Sequence, residues 1–227
     1  MANKVFRNIQ DNVLGQISKS DSITRDRVKR GINMGYQDFV LRELWPFREK
    51  TGTLSTVQGT QEYSLLSNFS DMDAQNIIAV SIQGANPKKL AYWPYNQLRN
   101  PEPNFQLQGQ DVPQRYYIKS GQIGFWPIPS GEFTVAIDYY ATPIELVDDS
   151  DEPIIPEGYR EALMQYSLSH EHDFNTDPDL AQKAMNRYEQ IVSLARQNLL
   201  SQPNDEYNFR LRGAAEGSPW TGLTGEI

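Results

Sequence analysis

The histidines are the first residues to test for metal chemistry. The chain has two, His170 and His172, in the segment Ser-His-Glu-His-Asp-Phe. A metalloprotease helix needs its histidines four residues apart, so that both imidazoles lie on one face. A spacing of two places them about 200° apart on a helix. We therefore predict that His170 lies on an apolar stripe, that His172 faces solvent, and that they bind no metal.

A run of carboxylates is the second candidate for chemistry. It comprises Asp148, Asp149, Asp151 and Glu152. A general acid needs a raised pKa inside a cleft, whereas a consecutive acidic run in a hydrophilic loop is usually solvated. The run also lacks the central glycine of an EF-hand loop. We interpret it as a solvated loop that can stabilise the positive end of the next helix, and we keep catalysis or calcium binding as the less favoured alternatives.

Other features of the sequence also argue against catalysis. The chain has no cysteine, which excludes disulfide scaffolds, thiol catalysis and thiolate metal sites. Gly121 and Gly124 span a predicted hairpin rather than the strand-to-helix turn of a phosphate loop. We therefore predict no enzymatic activity, no catalytic residue and no cofactor.

Aromatic residues in the middle of the chain could stack on bases or sugars. Few Lys or Arg accompany them, and a small β-domain needs an aromatic core, so we favour a core role. Exposure of Trp93 and Trp126 separates the two interpretations. Buried rings indicate a scaffold, and a row of exposed rings indicates a module that binds carbohydrate or a host surface. The aromatic set is Tyr92, Trp93, Tyr95, Tyr116, Tyr117, Phe125 and Trp126.

Length and charge set the broad class. The 227 residues suffice for one medium or two small domains, and the hydrophobic fraction of 38% is low, so part of the chain is not packed into its own core. No apolar run is long enough for a membrane span, and the start lacks the apolar stretch of a signal peptide. The net charge of −8 argues against tight DNA binding.

The outer parts of the chain have a helical period. Residues 4–17 repeat apolar side chains every four positions, and a second helix is predicted after Thr24 as N-cap. Gly31 and Gly35 lie one turn apart and predict close packing against a neighbour. The stripe of the second helix is Val28, Ile32, Tyr36, Phe39, Val40 and Leu44.

Two more helices are predicted near the end of the chain. Pro156 suits the first turn of a third helix, and Asp177-Pro178 is a strong start signal for a fourth. The third has the stripe Tyr159, Ala162, Leu163, Tyr166, His170 and Phe174. The fourth has an apolar face at Leu180, Ala181, Ala184, Met185, Tyr188, Ile191, Val192, Ala195 and Leu199.

The middle of the chain alternates apolar and polar residues between turn residues. This pattern predicts short strands, and Ser120-Gly121 predicts a hairpin turn. The strands are expected at 62–66, 77–82, 115–118, 123–126 and 133–140. Residues 86–112 are expected to form a long loop or an irregular strand.

The predicted fold class is therefore α+β. Residues 1–50 and 146–200 would form a four-helix bundle, with a small antiparallel β-domain inserted at 51–145. Residues 201–227 would form an extended C-terminal tail that is too poor in apolar residues to fold alone. Because this tail carries Tyr207, Phe209, Leu211 and Trp220, we predict that these side chains bind a partner.

The order of these elements resembles the head-to-tail adaptor, or connector, proteins of tailed bacteriophages. The likeness is strongest to adaptors of short-tailed phages, including the tail tubular ring type, and it covers residues 24–200. The matching strings lie at 28–36 with 44–47, 59–65, 123–129, 135–143 and 149–159.

The resemblance implies a structural virion protein at the head–tail interface, assembled in the host bacterial cytoplasm. Such proteins form a ring, commonly twelvefold, beneath the portal and offer a platform for the tail nozzle. DNA passes through their channel without specific binding, and no membrane is involved. The less favoured functions are a carbohydrate- or host-surface-binding tail module and a hydrolase acting through paired carboxylates.

Overall fold

The computed structural model describes residues 5–65, 69–84, 87–99 and 109–200. Helices and sheets both contribute extensively, which confirms the α+β class. The tail at 201–227 and part of the predicted loop at 86–112 lie outside these ranges. The domain boundaries at 50 and 145 stay predictions.

Four long helices in the described ranges share one buried apolar cluster, which we call the helical core. Ile9, Ile32, Leu163 and Tyr188 represent the four helices in it. This sharing supports packing of the helices together, while a four-helix bundle topology stays a prediction. The helices are α1 (Phe6–Ile17), α2 (Ser22–Leu41), a short α3 (Tyr95–Arg99), α4 (Glu161–Phe174) and α5 (Pro178–Leu200).

The start of α2 differs from the prediction. Asp21, not Thr24, is the N-cap, and its carboxylate accepts hydrogen bonds from the Thr24 N–H at 2.8 Å and the Thr24 hydroxyl at 2.7 Å. The capping group must stand before the first turn to reach a free N–H, so Thr24 is its partner. Leu44 lies beyond the end of α2 and is exposed rather than part of the buried stripe.

The two glycines of α2 pack as predicted. A Cβ on Gly31 would lie 2.8 Å from Ser167 Oγ, and one on Gly35 would lie 2.7 Å from Tyr166 Cβ. Both distances are shorter than van der Waals contact, so α4 approaches α2 at a separation that only glycine permits. The prediction of close packing is confirmed.

The start of α5 is also confirmed, because Asp177 Oδ1 accepts a hydrogen bond from the Leu180 N–H at 3.2 Å and Pro178 opens the helix. Leu180 itself is exposed and does not belong to the apolar face. On α4, Phe174 is exposed as well. The buried face of α4 centres on Met164, Ser167 and Leu168, about 100°, or one residue, away from the predicted stripe.

Eight of the ten strands in the described residues form two four-stranded sheets that contribute to one apolar cluster, the sheet core, and β6 pairs with β9 in a separate two-stranded sheet. The first sheet has the order β1-β10-β3-β4 and is antiparallel, and the second has the order β2-β8-β7-β5. The pairs β5–β7 and β6–β9 are parallel, so the predicted antiparallel arrangement is wrong for these short strands. The strands are β1 (Glu49–Ser55), β2 (Glu62–Ser64), β3 (Met72–Ile82), β4 (Lys88–Lys89), β5 (Ala91–Tyr92), β6 (Gln110–Asp111), β7 (Arg115–Lys119), β8 (Gln122–Trp126), β9 (Ile128–Pro129) and β10 (Thr134–Ala141).

The hairpin between β7 and β8 has the expected turn. Ser120 and Gly121 have φ angles of 49° and 74°, and two positive values in sequence are typical of a type I′ turn, which matches the twist of antiparallel strands. Strand β1 was missed, because it is an edge strand in which Leu54 alone is buried, and such a strand shows no apolar alternation.

Arg48 joins the helices to the sheets. Its side chain is 2% exposed, and Nε donates to the Ala141 carbonyl of β10 at 2.9 Å. Nη1 donates to the carbonyls of Glu43 at 3.0 Å and Val40 at 3.2 Å, while Nη2 reaches the Asp73 carboxylate of β3 at 3.3 Å. One guanidinium therefore donates hydrogen bonds to the end of α2 and to two strands of the first sheet.

We expect Arg48→Lys to lower the free energy of unfolding by about 1–3 kcal/mol, because an ammonium cannot reach these four acceptors in a planar fork. The matched control is Arg187→Lys, whose ion pair with Glu161 is largely exposed, and its effect should stay below about 0.5 kcal/mol. Urea denaturation measures both. Equal effects in the two variants would contradict the role of Arg48 in linking the helices to the sheets.

Candidate interaction surfaces

The histidine prediction is wrong in its assignment of faces. His170 is exposed and lies against the Tyr166 ring, while His172 is half-buried. The residue between them, Glu171, is the buried one, and its carboxylate accepts hydrogen bonds from Arg27 Nε at 3.1 Å and Nη2 at 3.0 Å. The sequence did not reveal this pair, because its partners lie 144 residues apart. Within the described ranges, no cluster of three or more His, Asp or Glu side chains could hold a metal ion.

The loop that contains the acidic run caps α1 rather than the helix that follows the run. The first N–H groups of α1 donate to loop carbonyls: Phe6 N to Asp151 O at 2.8 Å and Arg7 N to Asp149 O at 3.0 Å. Arg7 Nη1 also donates to the Asp149 carboxylate at 2.7 Å, and this hydrogen bond holds the pKa of Asp149 below its ordinary value. Because Val5 at the N-cap offers no side-chain acceptor, the loop caps α1.

The same loop, residues 143–156, is held in place by hydrogen bonds to α2 and by hydrogen bonds within the loop. Asn33 of α2 exchanges two hydrogen bonds with the backbone of Leu146, each at 2.9 Å. The Asp151 carboxylate accepts from the N–H groups of Val147 at 2.7 Å and Asp148 at 2.8 Å. These bonds hold the loop in one shape, from which Ile144, 65% exposed, and Val147 project into solvent.

A cavity of about 220 Å³ lies where this loop meets α2 and the first sheet. We call it the acidic pocket, since four carboxylates line it against one lysine. Lys50 pairs with Asp71, which also accepts a hydrogen bond from the Tyr139 hydroxyl at 3.0 Å. Burial raises the pKa of Asp71, but these hydrogen bonds outweigh it and leave the pKa below its ordinary value. The charged lining residues are Lys50, Asp71, Glu145, Asp151 and Glu152.

The outer face of α2 is a second candidate surface. Ile23, Met34 and Leu41 are exposed, and their spacing places them on one side of the helix. A groove of about 370 Å³ runs between α2 and α4 beside Met34 and Phe174, where the Arg27 guanidinium lies 4.0 Å from the centre of the Phe174 ring. Exposed apolar side chains concentrated on one helix face indicate an interaction surface.

The exposure of the two tryptophans of the sheet region lies between the two predicted outcomes, buried rings and a row of exposed rings. Trp93 and Trp126 are half-buried and pack edge to face, with ring centroids 6.1 Å apart. The Arg115 guanidinium lies 3.7 Å from the Trp93 centroid and 5.3 Å from the Trp126 centroid. Because the rings pack on each other and on Arg115, they do not form a row of exposed stacking platforms.

The sequence-predicted partner residues Tyr207, Phe209, Leu211 and Trp220 lie outside the described residues. Their role therefore stays a prediction.

The chain matches the SU10 adaptor protein family over residues 2–213, and it belongs to this family. This membership confirms the resemblance to phage head-to-tail adaptors. The protein is thus a structural phage adaptor and a virion component.

No curated protein matches the chain. Among the helices within the described ranges, none is long and apolar enough to cross a membrane.

Proposed function

We propose that this protein forms a ring beneath the portal and links the DNA-filled head to the tail. The ring, twelvefold in this proposal, sits at the head–tail interface of the virion, offers a platform for the tail nozzle, and is assembled in the host bacterial cytoplasm. The observation that carries the proposal is the family match, which spans almost the whole chain.

Buried hydrogen bonds that link the helices to the sheet and to the loop support this function. A ring subunit between two large assemblies must transmit contacts from one end to the other without deforming. Arg48 ties α2 to the first sheet, and Asn33 ties α2 to the braced loop. Buried polar groups with several good partners hold their elements in one arrangement, so helices and sheets can act as one rigid piece.

The charge of the chain supports passage of DNA through the ring without specific binding. Residues 51–227 carry 23 Asp and Glu against 11 Lys and Arg. A channel wall with this balance repels the phosphate backbone and limits adhesion during ejection. The acidic character thus favours a conduit over a DNA-binding surface.

The C-terminal tail is proposed to supply contacts to the portal or to a neighbouring subunit. Tyr207, Phe209 and Leu211 lie within the family match, which ends at residue 213, and Trp220 lies beyond it. Spaced apolar side chains between Gly and Pro suit a segment that becomes ordered on its partner.

We expect the isolated protein to be monomeric or weakly associated and to form a ring only on its portal. The entropic cost of ordering the tail must be offset by partner contacts. Native mass spectrometry of the protein alone and after addition of purified portal measures this. A stable dodecamer that forms without portal, and also after removal of residues 201–227, would contradict the expectation.

A further inference from the structure

We propose that the loop at 143–156 of one subunit inserts Ile144 and Val147 into the groove between α2 and α4 of a neighbouring copy. This inference rests on the proposed ring, and it names the two surfaces through which adjacent copies contact each other. Both surfaces consist of described residues whose positions within the subunit are fixed.

The loop presents an apolar projection of fixed shape. Ile144 and Val147 are 65% and 66% exposed, although both are aliphatic. Between them, the Leu146 backbone exchanges two hydrogen bonds with Asn33, and the Val147 N–H donates to the Asp151 carboxylate. Because this backbone is already held in one conformation, binding through the two side chains costs little conformational entropy. Exposed apolar side chains that lie together indicate an interaction surface.

The groove between α2 and α4 offers an apolar recess for this projection. Met34 is 49% exposed and Phe174 is 62% exposed, and both line the cavity of about 370 Å³. The Phe174 ring is supported by the Arg27 guanidinium, which lies 4.0 Å from its centre and is itself bonded to Glu171. Covering these two apolar side chains would remove apolar surface from water, which favours association.

Ion pairing within the subunit leaves charges of opposite sign at the two surfaces. Glu145 and Asp148 stand beside the two projecting aliphatic residues, and their exposed carboxylates have no hydrogen bond or ion pair in the described part of the chain. Among the described residues that line the groove, Arg30 is the free arginine, because Arg27 pairs with Glu171. Opposite charges across a contact fix its orientation, so Arg30 is the expected partner of a loop carboxylate.

One carboxylate of the groove opposes this pairing. Asp173 lines the groove, is exposed and has no partner within the described ranges, so it repels the incoming carboxylates. The contact therefore draws its free energy from the covered apolar side chains and its orientation from Arg30. Such a contact is weak between two free subunits and becomes effective where the portal holds copies side by side.

The occupant of the groove comes from another copy because the two surfaces lie on opposite flanks of α2. Asn33 holds the loop, whereas Gly31 and Gly35, each two residues away from it, pack against α4. At about 100° per residue, the loop side and the α4 side are about 160° apart around the helix. Since the Leu146 backbone is bonded to Asn33, the loop cannot pass around α2 into its own groove. Contact between unlike surfaces is head-to-tail, and it closes when copies are arranged in a ring.

Disulfide crosslinking between two full-length variants tests the proposal, since the natural sequence has no cysteine. The loop variant carries Val147→Cys, and the groove variant, which has a size tag, carries Met34→Cys. Each molecule then has a single thiol, so a disulfide reports contact between copies only. The control pairs the loop variant with Gln190→Cys, an exposed position on α5.

After mixing and mild oxidation on purified portal, we expect at least about fivefold more mixed dimer for the groove variant than for Gln190→Cys. Each variant oxidised alone should give little dimer, because a head-to-tail contact brings unlike positions together. A chain that carries both Val147→Cys and Met34→Cys should form a ladder of covalent oligomers.

Charge substitutions test the orientation of the contact. Arg30→Glu in the groove variant should lower the yield several-fold, and Glu145→Lys with Asp148→Lys in the loop variant should restore it. Asp173→Asn removes the opposing carboxylate and should raise the yield. Lys183→Glu changes the net charge as Arg30→Glu does, at an exposed position of α5 outside the groove, and should leave the yield unchanged.

Equal yields for the groove and control positions would overturn the inference, and so would insensitivity to Arg30→Glu. A groove covered by the portal would give yields at the control level, together with weaker binding of Met34→Glu to the portal. A portal-bound ring without the mixed disulfide would leave the proposed function standing while this inference fails. A mixed disulfide that forms while electron microscopy shows no ring on the portal would do the reverse.

Discussion

Tyr188→Asp is expected to unfold the helical core. Tyr188 is fully buried in that core, and its hydroxyl donates a hydrogen bond to the Asp38 carboxylate. Burial, and then this carboxylate, raise the pKa of Tyr188 well above its ordinary value, so the phenol stays protonated and donates. Aspartate would remove the ring and place a second carboxylate beside Asp38. Burying such a charge costs several kcal/mol, a large part of the roughly 5–15 kcal/mol that stabilises a domain.

Thermal and urea denaturation measure this effect, with two companion variants. Tyr188→Phe keeps the ring and loses only the hydrogen bond, so it should cost about 1–3 kcal/mol. Ile191→Asp, on the same buried face of α5, should unfold the core as Tyr188→Asp does. An unchanged melting temperature for either aspartate variant would show that this face of α5 does not carry the core.

Deleting residues 201–227 is expected to leave the fold intact and to abolish docking to the head. Side chains within the described ranges 5–65, 69–84, 87–99 and 109–200 form both the helical core and the sheet core. The removed residues have no periodic apolar face, whereas Phe209, Leu211 and Trp220 suit partner pockets. Circular dichroism and the melting curve should match the full chain, while DNA-filled heads leak or fail to accept tails.

A shorter deletion, of residues 214–227, serves as the matched control. It keeps Tyr207, Phe209 and Leu211 and removes Trp220, so docking to the head should weaken less than after the long deletion. If the long deletion lowers the melting temperature of the isolated protein by many degrees, the tail belongs to its core. If the truncated protein still assembles normally on heads, the docking role is wrong.

Sequence patterns predicted the elements whose signals are local. Asp177-Pro178 supplies both the capping carboxylate and the fixed backbone angle of a helix start, and α5 begins there. The alternation in β10 places Val135, Ile137 and Tyr139 in the sheet core. Ser120-Gly121 forms the predicted turn because its backbone conformation depends on those two residues alone.

Predictions failed where neighbours in space decide the outcome. His170 is exposed because α4 turns Met164, Ser167 and Leu168 toward the other helices. Helical period alone defines possible stripes, and the packing partners select among them. Arg48 and Asn33 are ordinary polar residues in the sequence. Their linking role depends on hydrogen bonds to Ala141 and Leu146, which are distant along the chain.

The acidic pocket could not be predicted for the same reason. Its wall and rim combine Tyr36, Asp71 and the loop at 141–154, which are separated along the chain. The acidic run has the composition of a solvated loop, which agrees with its exposure, but its backbone carbonyls also cap α1. By contrast, the class of protein was accessible from the sequence, because the order of motifs along the chain resembles the adaptor family.

Electron cryomicroscopy of portal-containing heads, with and without the purified protein, tests the central claim most directly. The account predicts a closed ring of this chain beneath the portal, with twelve copies around an open channel, and tail proteins binding only when the ring is present. Heads that bind no additional density at the portal, or protein found only at a position remote from the head–tail junction, would contradict it.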